Sequence, residues 1–245
     1  MKSKDLLQLN LSSLPREQLE RMAEAGLQII ECYRVMKKGS INIVGELLKG
    51  QGEFYELDHY PNDDVFDSDT HSQYYYHAHR ADAGEHGHFH TFLRQPGMPD
   101  GTLPVPYDGD EPWPTGKDAL SHLIAISMDA YGYPLGLFAT NRWVTAEAWY
   151  KAEDVIAMLD HFKIDHAFPS WPVNLWISSM LVLFRPQIEV LLHERDQVVA
   201  QWVAAHPDID VFEDRKLDLT GYMAINVEEQ IKAVAAALNP LNIST

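Results

Sequence analysis

Apolar residues recur every three or four positions early in the chain, where Leu19, Met22, Gly26, Ile29, Ile30, Tyr33 and Met36 fall on one stripe. That spacing predicts an amphipathic helix, capped by Ser12 or Ser13 with Pro15 in the first turn, where a missing N–H costs nothing. Gly39-Ser40 ends it, and Ile41 to Leu48 predicts a short second helix. Residues 56–72 are acidic and without period, and read as a loop. From Gln73 the period becomes two. Gln73 to Arg80 and Glu85 to Arg94 predict the strands of a hairpin closed by Ala81-Asp82-Ala83-Gly84. A proline-rich stretch over residues 95–118 is too long for a plain connection and reads as a lid. Ala119 to Asp129 and Leu135 to Trp143 predict two more strands.

Helical spacing then returns. Thr145 reads as the cap of a helix running to about His161, Pro172 opens an apolar segment through Leu183, and Arg185-Pro186 restarts a helix with Ile188, Leu191, Leu192, Arg195, Val198, Val199 and Trp202 on its buried face. Arg215 to Ile225 predicts a late strand, and Asn226 with Glu229 a capping box for the last helix. This order of elements predicts an α+β fold, an antiparallel sheet with a His-rich hairpin packed by N-terminal and C-terminal helices. Without an internal repeat or a linker, residues 1–245 read as one domain: a helical segment over 1–50, the sheet over 73–143, and a mainly helical part with one late strand over 145–245.

Composition narrows the partners. The chain is 46% apolar and 22% charged, which excludes wholesale disorder. Its formal charge of −17 argues against nucleic acid and anionic membranes, both of which require a basic surface. A small-molecule substrate is the expected partner, and a homo-oligomer is left open. Cys32 is the single cysteine and has no partner for a disulfide. The opening Met1-Lys2-Ser3-Lys4-Asp5 leads into no apolar signal core, and no apolar run approaches the ~20 residues of a membrane span, so the expected location is cytoplasmic.

Histidine is the item out of proportion. Six of the twelve lie between His71 and His90. If Arg80 pairs with Glu85 across the hairpin loop, His79 faces His86, His77 faces His88 and Tyr75 faces His90. Directly opposed residues share a sheet face, so His77, His79, His86, His88 and His90 would form one patch of imidazoles, with Tyr75 beside them. The opposite face would carry Tyr74, Tyr76, Ala78, Gly87, Phe89 and Thr91, a set suited to a core. Imidazoles so crowded repel one another once protonated, and a bound metal removes that conflict. An all-nitrogen set without cysteine fits a transition metal such as Fe, Zn or Cu rather than Mg or Ca. His122, alone among apolar residues of the next strand, is either a hydrogen-bonded core histidine or a further ligand. Glu85 is a candidate general acid or base, Tyr75 a hydrogen-bond donor to bound ligand, and Arg142 an anchor for an anionic substrate.

His86-Gly87-His88-Phe89-His90-Thr91-Phe92 resembles the signature of the histidine-triad nucleotide hydrolases and transferases. That resemblance implies His88 as a nucleophile accepting a nucleotidyl group, with His86 and His90 binding phosphate. Over most of its length the chain resembles an uncharacterised bacterial protein family, through Ser72 to Arg80, Leu137 to Thr145 and Ser170 to Asn174, which implies no activity. The residues themselves favour a metal-dependent enzyme, with non-haem iron oxidoreductase chemistry ahead of hydrolase chemistry because of the aromatic surroundings. The alternatives are histidine-triad nucleotidyl or phosphoryl transfer through His88 and a non-catalytic metal- or haem-binding protein.

Overall fold

Helix α1 (Arg16–Lys38) follows the predicted apolar stripe, burying Leu19, Met22, Ile29 and Met36 along that face. Its N-cap is Pro15, and the serines expected there instead sit in a preceding 3₁₀ turn capped by Asn10. Helix α2 (Ile43–Leu48) begins at Asn42, whose Oδ1 accepts from Gly45 N. The protein is described here by a computed structural model covering residues 9–80 and 84–239; Ala81, Asp82 and Ala83 of the expected hairpin loop lie outside the described residues.

Six antiparallel strands lie in chain order in one sheet: β1 (Tyr60–Phe66), β2 (Ser72–His77), β3 (Gly87–Arg94), β4 (Leu120–Met128), β5 (Pro134–Thr140) and β6 (Leu219–Ala224). Strand β1 lies in the stretch expected to be a loop. Only Tyr60, Pro61 and Val65 of it are buried, its register with β2 breaks between Tyr60 and Val65, and its Asp63 faces solvent. A bulged edge strand with outward charge resists further pairing and also hides the alternation that marks a strand.

One face of the sheet is the core. Tyr74, Tyr76, Phe89, Ile124, Ile126, Leu137, Ala139 and Met223 join the main apolar cluster with residues of α1, α5 (Trp171–Leu183) and α6 (Arg185–Ala205). Tyr74 Oη donates to Asn174 Oδ1 at 2.6 Å, which ties β2 to the first turn of α5. Helix α7 (Val227–Leu238) packs on α1, and Asn226 Oδ1 accepts from Glu229 N as its capping residue.

Between β5 and α5 the expected helix from Thr145 to His161 is helical only over Ala152–Met158, and Thr145 ends a separate short helix instead of capping it. Asn141 caps α3 (Arg142–Thr145), left-handed Ala146 ends it, and α4 (Ala152–Met158) follows. The proline-rich stretch over 95–118 is no lid on the histidines. Val105 and Trp113 instead pack against a separate apolar cluster of Trp149, Val199, Val211 and Leu217. Among the described residues, no single helix is long and apolar enough to cross a membrane.

Candidate metal centre

The opposite face of the sheet carries the histidines. Strand β2 pairs with β3 in the expected register, Tyr75 opposite His90 and His77 opposite His88. One ring nitrogen from each of His77, His88 and His90 lies within 4.8 Å of the other two, and all three residues are buried. His77 Nε2 and His88 Nε2 are 2.7 Å apart. This group can hold a metal ion, because three imidazoles from adjacent strands converge on one point and leave the far side open to a cavity.

For His88 and His90 the second ring nitrogen has a contact of its own. His88 Nδ1 donates to Glu85 Oε1 at 2.5 Å, and Ser127 Oγ of β4 donates to Glu85 Oε2 at 2.5 Å. A carboxylate on Nδ1 fixes the tautomer in which Nε2 carries the lone pair, the arrangement that supports metal-binding imidazoles. His90 Nδ1 lies 3.0 Å from His122 Nε2, while His90 Nε2 is buried with no partner. With the Nδ1 proton given to His122, the His90 Nε2 lone pair is free for a ligand.

Burial and neighbouring cations disfavour charge on His77, His90 and His122. Burial, then the neighbouring His88, His79 and His59, pushes His77 down to about 2. Burial and the surrounding histidines hold His90 well below its ordinary value, and burial with Arg195 and His88 lowers His122 to about 3. Glu85 moves the other way from what burial alone would do. Desolvation raises it, but the bonds from His88 and Ser127 and the charges of His88 and Arg80 outweigh that and leave it lowered, hence ionised.

The expected site residues separate into three groups. His77, His88 and His90 form the cluster, and His122 stands behind it through His90. That placement of His122 depends on a one-residue register shift, with Thr91 opposite Ile124 but Phe92 opposite His122. Strict alternation would put His122 on the core side with Ile124; the bulge at Leu123 turns it to the histidine side. His79 lies beyond the end of β2, exposed at the cavity rim, its ring 4.9 Å from His77 and 5.0 Å from His88. Tyr75 shares the face but lines no part of the cavity; its ring stacks on His59 at 3.6 Å and sits 5.2 Å from His90.

Three expectations are corrected. His86 leaves the patch, because β3 starts only at Gly87 and the chain before it turns to the core side, where His86 Nδ1 meets Tyr76 Oη at 2.7 Å and the ring stacks on Phe54. Arg142 faces away from the cavity. Asn141 ends β5 and starts α3, which aims the guanidinium at Glu213 and at the carbonyls of Glu147 and Pro112. Glu85, expected to pair with Arg80 or serve as an acid or base, instead positions His88.

A cavity of about 470 Å³ opens on the cluster, lined in part by Arg80, Phe138, Thr140, Trp143 and Asp218. Phe138 and Thr140 were legible only as strand residues, and Arg80 was assigned to Glu85. Behind the cluster, Glu147 accepts from His122 N at 2.5 Å and from Thr145 Oγ1, and complete burial pushes its carboxyl up to about 7. Replacing Glu85→Gln should weaken metal binding by about 10- to 100-fold, the usual effect of losing the carboxylate behind a ligating histidine. Chelator competition reads that loss; unchanged affinity would remove Glu85 from the site.

Fold and site together define an α+β protein with a buried three-histidine group on one face of an antiparallel meander. Residues 23–225 match the family described as a domain of unknown function (DUF6969), and the chain belongs to that family. No curated protein and no solved structure matches it.

Proposed function

We propose that this chain is a metalloenzyme in which His77, His88 and His90 hold one transition ion and that it acts on a small molecule in the adjoining cavity as a non-haem iron oxidoreductase. The observation that carries the reading is the convergence of three buried imidazoles, one with an unpartnered nitrogen, on a single cavity. A buried ring nitrogen left without a partner costs about 1–3 kcal/mol, and a cation at that point recovers it. The all-nitrogen set suits Fe, Zn or Cu. A bound iron would supply the redox chemistry; Glu85 and Ser127 hold the His88 ring in place, and His122 contacts His90.

The second-sphere bonds favour redox over hydrolytic use. A hydrolase of this type needs a carboxylate free to take the proton of metal-bound water. Both oxygens of Glu85 are already committed to His88 and Ser127, and Asp218 is exposed at the cavity rim. Nucleotidyl transfer through His88 is supported less well, since its Nε2 lies against His77 Nε2 at 2.7 Å instead of standing free for attack.

Protein purified without a nickel-affinity step should carry about one equivalent of iron, and the iron-loaded form should consume dissolved oxygen when given a small-molecule extract while the zinc-loaded form does not. Metal-free protein that forms an acid-labile phosphoramidate with nucleotide would reject this in favour of the histidine-triad reading. Zinc-loaded protein that hydrolyses esters without oxygen uptake would move the assignment to a hydrolase.

A further inference from the structure

The cavity carries more unsatisfied polar atoms than the metal ligands explain. Six buried side-chain polar atoms lack a hydrogen-bond partner among the described residues, and three of them belong to residues lining this one cavity: His90 Nε2, Thr140 Oγ1 and Arg80 Nη1. The guanidinium of Arg80 lies over the Phe138 ring, 4.8 Å from its centroid, which holds the fork in a fixed plane. Among the described residues, Glu85 is the carboxylate nearest to Arg80 in sequence, and it bonds His88 and Ser127 instead; Asp82 lies outside them. A buried guanidinium N–H and a hydroxyl on the lining of one cavity, both without a partner among the described residues, make a ready site for an outside acceptor.

We propose that Arg80 and Thr140 bind a carboxylate of the substrate, so that the cavity takes a small organic acid whose remaining atoms lie toward the three histidines. This names the substrate class of the proposed metalloenzyme and rests on that reading. The walls favour a monoanion over a phosphate. One guanidinium and one hydroxyl face the cavity, the Asp218 carboxylate stands at its rim, and the chain's net charge of −17 repels a dianion. Phe138 and Trp143 offer apolar surface for the body of the acid, and a volume of about 470 Å³ lies in the range of small-molecule pockets.

Calorimetric titration with benzoate, methyl benzoate and inorganic phosphate tests this, using the full chain both metal-loaded and chelator-treated, with metal content measured on the same samples. Wild-type protein should bind benzoate at least about 10-fold more tightly than the ester or phosphate. Arg80→Ala should weaken benzoate by about 10- to 100-fold, the size of a lost charge-assisted bond, with Arg80→Lys between and Thr140→Val weaker in effect. Near-ultraviolet circular dichroism and an unchanged metal content show that the variants are folded. Benzoate affinity unaffected by Arg80→Ala, an ester bound as tightly as the acid, phosphate preferred, or no binding of benzoate by folded wild type overturns the proposal. Arg80-dependent benzoate binding by protein that takes no metal would leave the acid site standing and reject the metalloenzyme; full metal loading with Arg80-independent binding would do the reverse.

Discussion

Replacing His77→Leu should abolish tight metal binding while leaving the metal-free fold within about 1 kcal/mol of wild type. The first effect follows from geometry: His77 supplies one of three nitrogens, and losing a ligand should exceed the ~100-fold upper end seen for residues behind the ligands. The second follows from what His77 does for the fold. Its one side-chain bond is to His88 Nε2, which faces a cavity where water can replace it. Leucine has a similar volume, adds no polar atom to bury and keeps the packing against Tyr75. A large loss of metal affinity without a loss of stability is the mark of a residue retained for binding at some cost to the fold. Urea unfolding of the chelated proteins, beside metal competition, measures both. A variant that loses several kcal/mol in the metal-free state would make His77 a structural residue.

Acid should destabilise the metal-free protein steeply below about pH 6. His77, His90 and His122 have folded-state values depressed far below the ordinary one, so in the unfolded chain each takes up a proton near pH 6.5 that the folded protein does not bind. Each such group removes about 1.4 kcal/mol of stability per pH unit as pH falls below its unfolded value, and this continues until its folded value is reached. Glu147 acts in the opposite sense. Its folded carboxyl is raised to about 7, so it binds its proton before the unfolded chain does and gains stability between about pH 7 and 4.5, cancelling one of the three histidines. The net expectation is a loss of about 3 kcal/mol per pH unit between pH 6 and 5, against near-constant stability above pH 7. Urea midpoints across that range give the slope, and a flat profile from pH 7 to 5 would mean that the imidazoles are not buried as a neutral group.

The hairpin was legible in the chain because alternation and loop length together leave few registers. Pairing Arg80 with Glu85 fixes Tyr75 against His90 and His77 against His88, and those pairs are the observed ones. The ends were not legible. Gly87 lets the Tyr76 ring approach so closely that a Cβ there would lie 2.5 Å from Tyr76 Oη, and His86, one residue earlier, turns to that hydroxyl instead of continuing the strand. His122 required a bulge that no periodicity announces, and Arg142 required knowing that β5 stops at Thr140. Glu85 was placed across from Arg80 by strand logic, whereas outside the strand it is free to reach back to His88. Sequence alternation thus located the three converging histidines, and local departures from alternation built what supports them.

X-ray absorption at the edge of the bound metal should find one ion held by His77, His88 and His90. The shell of atoms around the metal should contain three imidazole nitrogens at about 2.0–2.1 Å and lose one of them in His90→Ala. A shell dominated by carboxylate or sulfur ligands, or one unchanged in His77→Ala, His88→Ala and His90→Ala alike, would contradict it.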